Sequence, residues 1–351
     1  MRNSPCLLFI VLSVAIPTVS WCQAGSAGDV FTRDDIFNRM PLSHFKDVVR
    51  SFAWFRGELW VGTYGSGILV LSESGDVRTI QSSNSPLLED RVNCLAARGD
   101  QELWIGTCEG INVHDGTTWK RYTTDDGVAH NIYHAIRIAP DGRVWVGTTG
   151  HGISVFDGTK WTTYNKSSGL GDDWIDDILI EPGGKVWATC FHTLAQFEGE
   201  TITKLSPVGA EMPYPILSLG YRNGEIWVGT VARGVFFFQD GYWFHPESDA
   251  LAAGDNKIRS MVTDQEGRVW MGTDLGIVRY TPDQGWKHYG TEEGLAEAYT
   301  KVLFIDGKQR LWAGSWIDGV VSVYVPNEDR FRMVLNKGKY SAGQVGLPLG
   351  P

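Results

Sequence analysis

Three histidines and a run of aspartates are the side chains of this sequence best suited to chemistry. His134, His151 and His192 are accompanied by three aspartates within residues 172–176. Imidazole and carboxylate groups together can hold a divalent metal or act as an acid–base pair. Sequence motifs that are diagnostic of a metal site place their ligands a few residues apart on one element, whereas these residues are scattered over separate loops. We therefore predict no metal and no cofactor, and a metal site stays open as an alternative.

The elements that would position these residues are indicated by a tryptophan repeat. Seven times an aliphatic residue is followed by Trp, usually with Gly and Thr two and three residues later, and the steps measure 40 to 44 residues. A period in the forties is typical of four-stranded propeller blades or of helical-pair repeats. The repeated tryptophans are Trp60, Trp104, Trp145, Trp187, Trp227, Trp270 and Trp312.

The content of each repeat favours β-structure. In the third repeat, turns that contain Gly separate four β-branched and aromatic runs, at Tyr133–Ile138, Val144–Thr148, Ile153–Phe156 and Trp161–Tyr164. Such runs predict one antiparallel sheet, whereas helical spacing is not sustained beyond the N-terminal region. The sequence therefore predicts an all-β fold, a seven-bladed β-propeller with four antiparallel strands per blade.

Both faces of the tryptophan strand are predicted to be buried, because side chains alternate along a strand and each blade lies between two others. The Gly two residues after Trp is expected where neighbouring blades approach closely. The fourth repeat departs from this pattern, with Thr189 and Cys190 in place of Gly and Thr, and Thr193 in place of a later Gly. We interpret this departure either as tolerated drift or as a locally specialised face.

The N-terminal region indicates export. Arg2 precedes an apolar stretch at 7–19 that is too short to span a bilayer and is typical of a signal peptide. We expect a periplasmic or secreted protein; lipid attachment at Cys22 is the less favoured alternative, because the bulky Trp21 precedes it. The predicted organisation is a signal peptide at 1–24, an N-terminal segment with a closure strand at 25–47, the propeller at 48–336 and a flexible tail at 337–351.

Closure of the ring leaves two candidates for the outermost strand. Val30–Asp35 resembles Arg121–Asp126, an outer strand that leads into a crossover between blades. Phe331–Leu335, however, already supplies the last blade with a fourth strand. Either the two segments compete or a fifth strand is added, and in both cases an edge that invites aggregation is covered.

Composition argues against several classes of function. The net charge of −10 disfavours general binding to nucleic acid or to anionic membranes. After the leader no apolar run approaches about 18 residues, so no integral membrane segment is predicted. Only Cys94, Cys108 and Cys190 follow the leader, which is too few for a disulfide framework, and at least one thiol is expected to stay unpaired.

The segment Asp141–Gly158, which reads DGRVWVGTTGHGISVFDG, resembles the two-component regulator propeller repeat. In that repeat a D-G-x-aliphatic-W-I-G-T core is followed by a strand that opens with Gly and an aliphatic residue. The resemblance implies an extracytoplasmic sensory propeller, as in the ligand-binding portions of hybrid sensor kinases, which often bind glycans. The sequence shows no spanning helix, kinase motif or phosphoacceptor domain, so signalling is expected to need an exported or membrane signalling protein as partner.

Function on a propeller is expected where loops converge around the axis, on the face built by the turns between second and third strands and by the crossovers between blades. Aromatic rings beside charged and hydrogen-bonding groups suit a glycan or a peptide. Positions that differ between blades of a repeated scaffold are where specificity can arise. We therefore predict no catalytic residue and a ligand site at the mouth of the central channel, formed by His134, His151, Trp174, Asp176, His192, Arg233 and Arg259.

Two other functions stay open as alternatives. Streptogramin lyases are also seven-bladed propellers, and this chain resembles them in having His and acidic residues on one face, where those enzymes use a divalent metal. Their blades carry a G-x-x-W-F-T pattern instead of the W-V-G-T seen here, so an enzyme is the less favoured interpretation. The second alternative is a scaffold whose broad face or edge binds another exported protein.

Overall fold

Seven antiparallel sheets follow one another along the chain in a computed structural model that describes residues 48–206, 214–316, 319–336 and the backbone of 339–340. Within each sheet the strands are hydrogen-bonded in chain order, so every blade is a simple meander. The predicted seven-bladed β-propeller is therefore confirmed.

The strands of the seven blades are numbered along the chain. They are, in blade 1, β1 Val49–Phe55, β2 Glu58–Thr63, β3 Ile68–Leu71 and β4 Val77–Ile80; in blade 2, β5 Val92–Arg98, β6 Glu102–Thr107, β7 Ile111–His114 and β8 Trp119–Tyr122; in blade 3, β9 Tyr133–Ile138, β10 Val144–Thr148, β11 Ile153–Phe156 and β12 Trp161–Tyr164; in blade 4, β13 Ile178–Ile180, β14 Val186–Cys190, β15 Thr193–Glu198 and β16 Thr201–Leu205; in blade 5, β17 Ile216–Arg222, β18 Glu225–Thr230, β19 Val235–Gln239 and β20 Tyr242–Phe244; in blade 6, β21 Ser260–Thr263, β22 Val269–Thr273, β23 Gly276–Thr281 and β24 Gly285–Tyr289; and in blade 7, β25 Thr300–Ile305, β26 Leu311–Ser315, β27 Val321–Val325, β28 Arg330–Asn336 and β29 Lys339–Tyr340.

Helical structure is sparse in the part of the chain that the structure describes. One short α-helix, α1 at Asp249–Ala253, precedes the crossover from blade 5 to blade 6. Three single turns of 3₁₀-helix lie at Thr124–Asp126, Lys166–Ser168 and Pro326–Glu328.

The apolar core is divided into seven clusters, and each fills the space between two consecutive blades. One of them joins blade 7 to blade 1, where Trp312 packs with Val49 and Leu59. All seven repeated tryptophans are at most 2% exposed, and so is Leu59 before the first of them. The prediction that both faces of this strand are buried is therefore confirmed.

Close approach between blades explains the glycine of the repeat. A Cβ placed on Gly147 of blade 3 would lie 2.7 Å from Cγ2 of Ile175 in blade 4, well inside van der Waals contact. The equivalent position at the ring closure is Gly314, where a Cβ would lie 2.8 Å from Cβ of Val49. The glycines therefore permit the spacing of the blades, as the sequence predicted.

Blade 7 contains five strands instead of four. β28 is the predicted fourth strand, and β29 pairs with it through Leu335 and Asn336. The fifth strand at Lys339–Tyr340 belongs to the region that was expected to be a flexible tail. The predicted signal peptide and the closure strand at Val30–Asp35 lie outside the described residues.

Two further expectations concern thiols and membrane segments. Cys94, Cys108 and Cys190 are all free, which confirms an unpaired thiol. Among the described residues, no helix has the length and apolar character needed to cross a membrane.

Candidate functional site

The first strands of the seven blades surround a central cavity of about 690 Å³. Each first strand, or the turn leading into it, has a buried residue that packs between blades, such as Val49, Tyr133 or Ile175. The residue that follows lines the cavity in every blade. We name these seven residues the mouth ring: Arg50, Asn93, His134, Asp176, Leu217, Arg259 and Lys301.

Local strand geometry explains why five of these seven side chains turn inward. In five blades the pairing between first and second strands shifts register by one residue at this position. Such a β-bulge leaves one residue unpaired and redirects its side chain. The bulged residues are Arg50, Asn93, His134, Leu217 and Lys301.

One carboxylate organises the cationic side of the mouth ring. Asp274, which is 5% exposed, accepts two hydrogen bonds from Arg259, one of them 3.0 Å from Nη2 to Oδ2. Its Oδ2 also accepts from Lys257 Nζ at 3.0 Å and from the Tyr299 hydroxyl at 2.9 Å. Burial acts to raise the pKa of Asp274, but Arg259 and Lys257 overcome this effect and hold that pKa below its ordinary value. Arg259 is therefore fixed as part of an internal ion pair.

Three cations of the mouth ring surround the indole of Trp316. The distances to the ring centroid are 4.9 Å from Cζ of Arg259, 5.2 Å from Nζ of Lys301 and 5.9 Å from Cζ of Arg50. Each lies within the range of a cation–π interaction. Arg50 also lies over the ring of Tyr64 at 5.4 Å.

Arg50 and Lys301 differ from Arg259 because they have no carboxylate partner among the described residues. Among the residues that the structure describes, neither forms an ion pair with a carboxylate. Burial, followed by repulsion from Arg50 and Arg259, lowers the pKa of Lys301 well below its ordinary value. Burial likewise lowers the pKa of Arg50. This part of the channel therefore contains more cationic side chains than carboxylates that pair with them.

The acidic side of the mouth ring is built by blades 3 and 4. Trp174 Nε1 donates to Asp176 Oδ1 at 3.2 Å, and the Trp174 ring lies 5.5 Å from that of His134. Oδ2 of Asp176 has no hydrogen-bond partner among the described atoms. Burial raises the pKa of Asp176 to about 6. Burial, aided by Arg50 and Lys301, lowers the pKa of His134 to about 3, so its imidazole is neutral at pH 7.

The deviant fourth repeat positions Asp176. The hydroxyl of Thr189, which replaces the usual Gly, accepts hydrogen bonds from the backbone N–H groups of Asp176 at 2.9 Å and Asp177 at 3.0 Å. Asp177 itself is engaged, because it accepts from Arg137 Nη2 at 2.6 Å and from the Leu219 N–H at 3.0 Å. Of the two neighbouring carboxylates, Asp176 is thus the one with an oxygen available to a ligand. This arrangement favours the interpretation of blade 4 as a specialised face.

The structure brings four of the seven predicted ligand residues together. His134, Asp176 and Arg259 line the central cavity, and Trp174 contacts the first two of them. They occupy the crossovers and first strands, which lie nearest the axis.

The other three predicted residues do not line the cavity. His151 is exposed and stacks on His130 with ring centroids 4.3 Å apart, while the His192 ring lies beside Phe191. Arg233 lies over the ring of Tyr214 at 5.6 Å. These residues belong to turns after the second strand, one strand spacing of about 4.8 Å farther from the axis.

The three histidines also do not form a common metal site. Within the described ranges, no group of three or more His, Cys, Asp and Glu side chains is arranged to hold a metal ion.

The seven predicted ligand residues do not include Arg50, Lys301, Asp274 or Trp316. A usable signal existed, because the mouth ring occupies one fixed register position, directly after the buried residue of each first strand or crossover that packs between blades. The direction of its side chains depends on the bulges, which the repeat pattern alone did not reveal.

The sequence matches the family model of the two component regulator propeller at residues 127–150 and 253–274. These segments contain the last part of the crossovers into blades 3 and 6 and the first two strands of each blade. A search of the curated proteins gives no match.

Several solved structures have a similar fold. The extracellular domain of a protein described as a one-component system from B. thetaiotaomicron aligns with a TM-score of 0.54 and 18% identity, over 81% of this chain and 46% of that chain. This chain therefore spans less than half of that domain. Virginiamycin B lyase from Staphylococcus aureus gives a TM-score of 0.64 and 14% identity, over 80% and 95% of the two chains.

A third similar structure is YCF48 from Cyanidioschyzon merolae, with a TM-score of 0.61 and 15% identity over 82% of this chain and 98% of that chain. Likeness at such identities establishes the fold alone. Together with the family match, it confirms that this seven-bladed propeller contains the two-component regulator propeller repeat.

Proposed function

We propose that this protein is an exported recognition propeller that binds a small glycan or peptide at the mouth ring and catalyses no reaction. The observation that carries the proposal is the asymmetry of the ring. One register position holds Arg, Asn, His, Asp, Leu, Arg and Lys in successive blades, while the positions below it, such as Phe52, Ile136 and Leu303, are apolar. Variation at one position of a repeated scaffold is how such folds acquire specificity.

The side chains at the mouth suit a ligand with both apolar and polar parts. The indole ring of Trp316 lies beside the cations of the mouth ring, and that of Trp174 lies beside Asp176. A ring face can pack against an apolar surface of the ligand, and the neighbouring Lys301 and Asp176 can pair with its polar groups. The cavity of about 690 Å³ falls within the usual size range of small-ligand sites.

Export and signalling are part of the same proposal. The apolar stretch at 7–19 supports export through a cleaved signal peptide. The family match supports a sensory role, in which ligand binding is signalled to an exported or membrane signalling protein. Residues 127–150 of the matched repeat include His134, so a ligand at the mouth would contact the repeat itself.

A binding screen tests the proposal. Purified protein is screened by thermal shift against oligosaccharides and peptides, and hits are measured by calorimetry. We expect Trp316→Ala and Trp174→Ala each to weaken a hit by about 1 to 3 kcal/mol, the loss of one well-packed aromatic contact. Tyr242→Ala is the matched control, because Tyr242 is 71% exposed on the outermost strand β20 of blade 5.

Three results would contradict the proposal. A hit with full affinity for the Trp316→Ala/Trp174→Ala double variant would place the site elsewhere. A ligand chemically altered after incubation, with activity abolished by EDTA, would favour the lyase alternative. Binding of a protein partner that tolerates both substitutions, with no small-molecule hit, would favour the scaffold.

A further inference from the structure

Charge is distributed unevenly around the mouth ring. Arg259, Lys301 and Arg50 occupy the consecutive blades 6, 7 and 1, whereas Asp176 belongs to blade 4. In a closed ring of seven blades, blade 4 lies opposite the boundary between blades 7 and 1. The mouth is therefore cationic on one side and anionic on the other.

We propose that the mouth ring binds a zwitterion, with its carboxylate held by Arg50 and Lys301 and its ammonium group held by Asp176. The ligand class that fits is a short peptide with free termini. This inference rests on the proposed function, since it assumes a small ligand at the mouth, and it specifies the chemistry of that ligand.

The carboxylate is assigned to Arg50 and Lys301 because these cations lack an anionic partner. Arg259, the third cation around Trp316, is already paired with Asp274. Arg50 and Lys301 form no such pair with described residues, and repulsion within the group opposes their charged forms. A bound carboxylate would relieve that repulsion and accept charge-assisted hydrogen bonds from both side chains.

The ammonium group is assigned to Asp176 because one oxygen of this carboxylate is unused. Oδ1 accepts from Trp174, while Oδ2 has no partner among the described atoms. Thr189 holds the backbone of Asp176 and Trp174 holds Oδ1, so the carboxylate is positioned before a ligand arrives. The ring of Trp174 adds a face for a cation, and the neighbouring His134 is uncharged at pH 7.

A zwitterion fits this mouth better than a ligand of one charge. A simple anion would meet the cations but also the repulsion of Asp176, and an uncharged ligand would leave Arg50, Lys301 and Asp176 all unpaired. The two binding groups belong to opposite sides of the ring of seven blades, so we expect the charges of the ligand to be farther apart than in an α-amino acid. An extended tripeptide spans about 10 Å, and its termini provide such a separation.

Calorimetric titration with trialanine and three analogues tests the inference. The analogues are N-acetyl-trialanine, which lacks the ammonium group, trialanine amide, which lacks the carboxylate, and free L-alanine. We expect trialanine to bind and each analogue to bind at least about tenfold more weakly. Asp176→Asn should lower the affinity for trialanine but leave the affinity for N-acetyl-trialanine unchanged or higher. Lys301→Met should lower the affinity for trialanine but not for trialanine amide.

Each of the following results would overturn the proposal that the ligand is a zwitterion. N-acetyl-trialanine binding as tightly as trialanine, or tighter binding of trialanine to Asp176→Asn, would show a simple anion site. L-alanine binding as tightly as trialanine would show that the charges need no separation. An uncharged oligosaccharide that binds in a Trp316-dependent manner, with no response to trialanine, would overturn this inference and leave the proposed function intact. Tyr242→Ala again serves as the control variant.

Discussion

Removal of Trp145 tests the core between blades, and the structure allows its cost to be worked out. The Trp145 side chain is 1% exposed and packs between blades 3 and 4. Its ring meets that of Phe197 edge-on with centroids 4.9 Å apart and stacks with Tyr164 at 6.4 Å. Its Nε1 has no hydrogen-bond partner among the described atoms, so Trp145→Ala removes packing without orphaning an acceptor. We expect a loss of about 3 to 5 kcal/mol in the free energy of unfolding.

Urea unfolding followed by far-UV circular dichroism measures this loss. Thr162→Ala is the control, because Thr162 is exposed on β12 of the same blade, and its effect should stay within about 0.5 kcal/mol. Trp270→Ala should cost at least as much as Trp145→Ala, because Trp270 Nε1 donates to Asp264 Oδ2 at 2.7 Å. An unfolding midpoint unchanged by Trp145→Ala would refute the inter-blade register on which the mouth ring depends.

Three further predictions concern ring closure, blade 4 and pH. Gly314→Ala should destabilise the protein by about 1 to 3 kcal/mol in urea, because the new Cβ would meet Val49; no effect would contradict the packing of blade 7 on blade 1. Thr189→Val should cost about 1 to 3 kcal/mol, because two backbone N–H groups lose their acceptor; an unchanged melting temperature would show that the hydroxyl is dispensable. Burial raises the folded-state pKa of Asp176 to about 6, so the native state binds this proton more tightly than the unfolded state does. The contribution of Asp176 to the free energy of unfolding therefore falls as the pH rises from about 4 to about 6. Asp176→Asn should therefore gain about 1 to 3 kcal/mol relative to wild type between those pH values; a difference independent of pH would contradict this origin of the shift.

The fold could be predicted from the sequence because the same physical requirements recur in every blade. Trp145 and its equivalents fill the space between blades, and Gly147 and its equivalents permit close approach. Because one pattern recurs seven times, the number of blades and their boundaries could be predicted from the sequence. The fifth strand at Lys339–Tyr340 was not predicted, because no other blade contains an equivalent strand.

The site was predicted only in part because the repeat pattern identifies strands and turns but not the direction of a bulged side chain. His134, Asp176 and Arg259 were identified by their position on the correct face. The inward direction of the Arg50 and Lys301 side chains became apparent only from the register shifts in β1 and β25. His151, His192 and Arg233 share the predicted face but not the distance from the axis. For each of these residues, the side-chain direction or the distance from the axis depends on the three-dimensional arrangement of the strands.

The role of Thr189 illustrates the same limit. The sequence identified Thr189 as a departure from the repeat, yet its consequence depends on a hydroxyl that accepts two backbone N–H groups across a strand pair. Only the three-dimensional arrangement connects this substitution to the placement of Asp176.

A crystal structure of the protein with the tightest ligand from the screen tests the central claim most directly. We predict ligand density inside the mouth ring, in contact with Trp316 and Lys301 on one side and with Trp174 and Asp176 on the other. Density on the opposite face of the propeller, or at the outer edge beside Tyr242, would contradict the claim that this protein recognises its ligand at the mouth of its central channel.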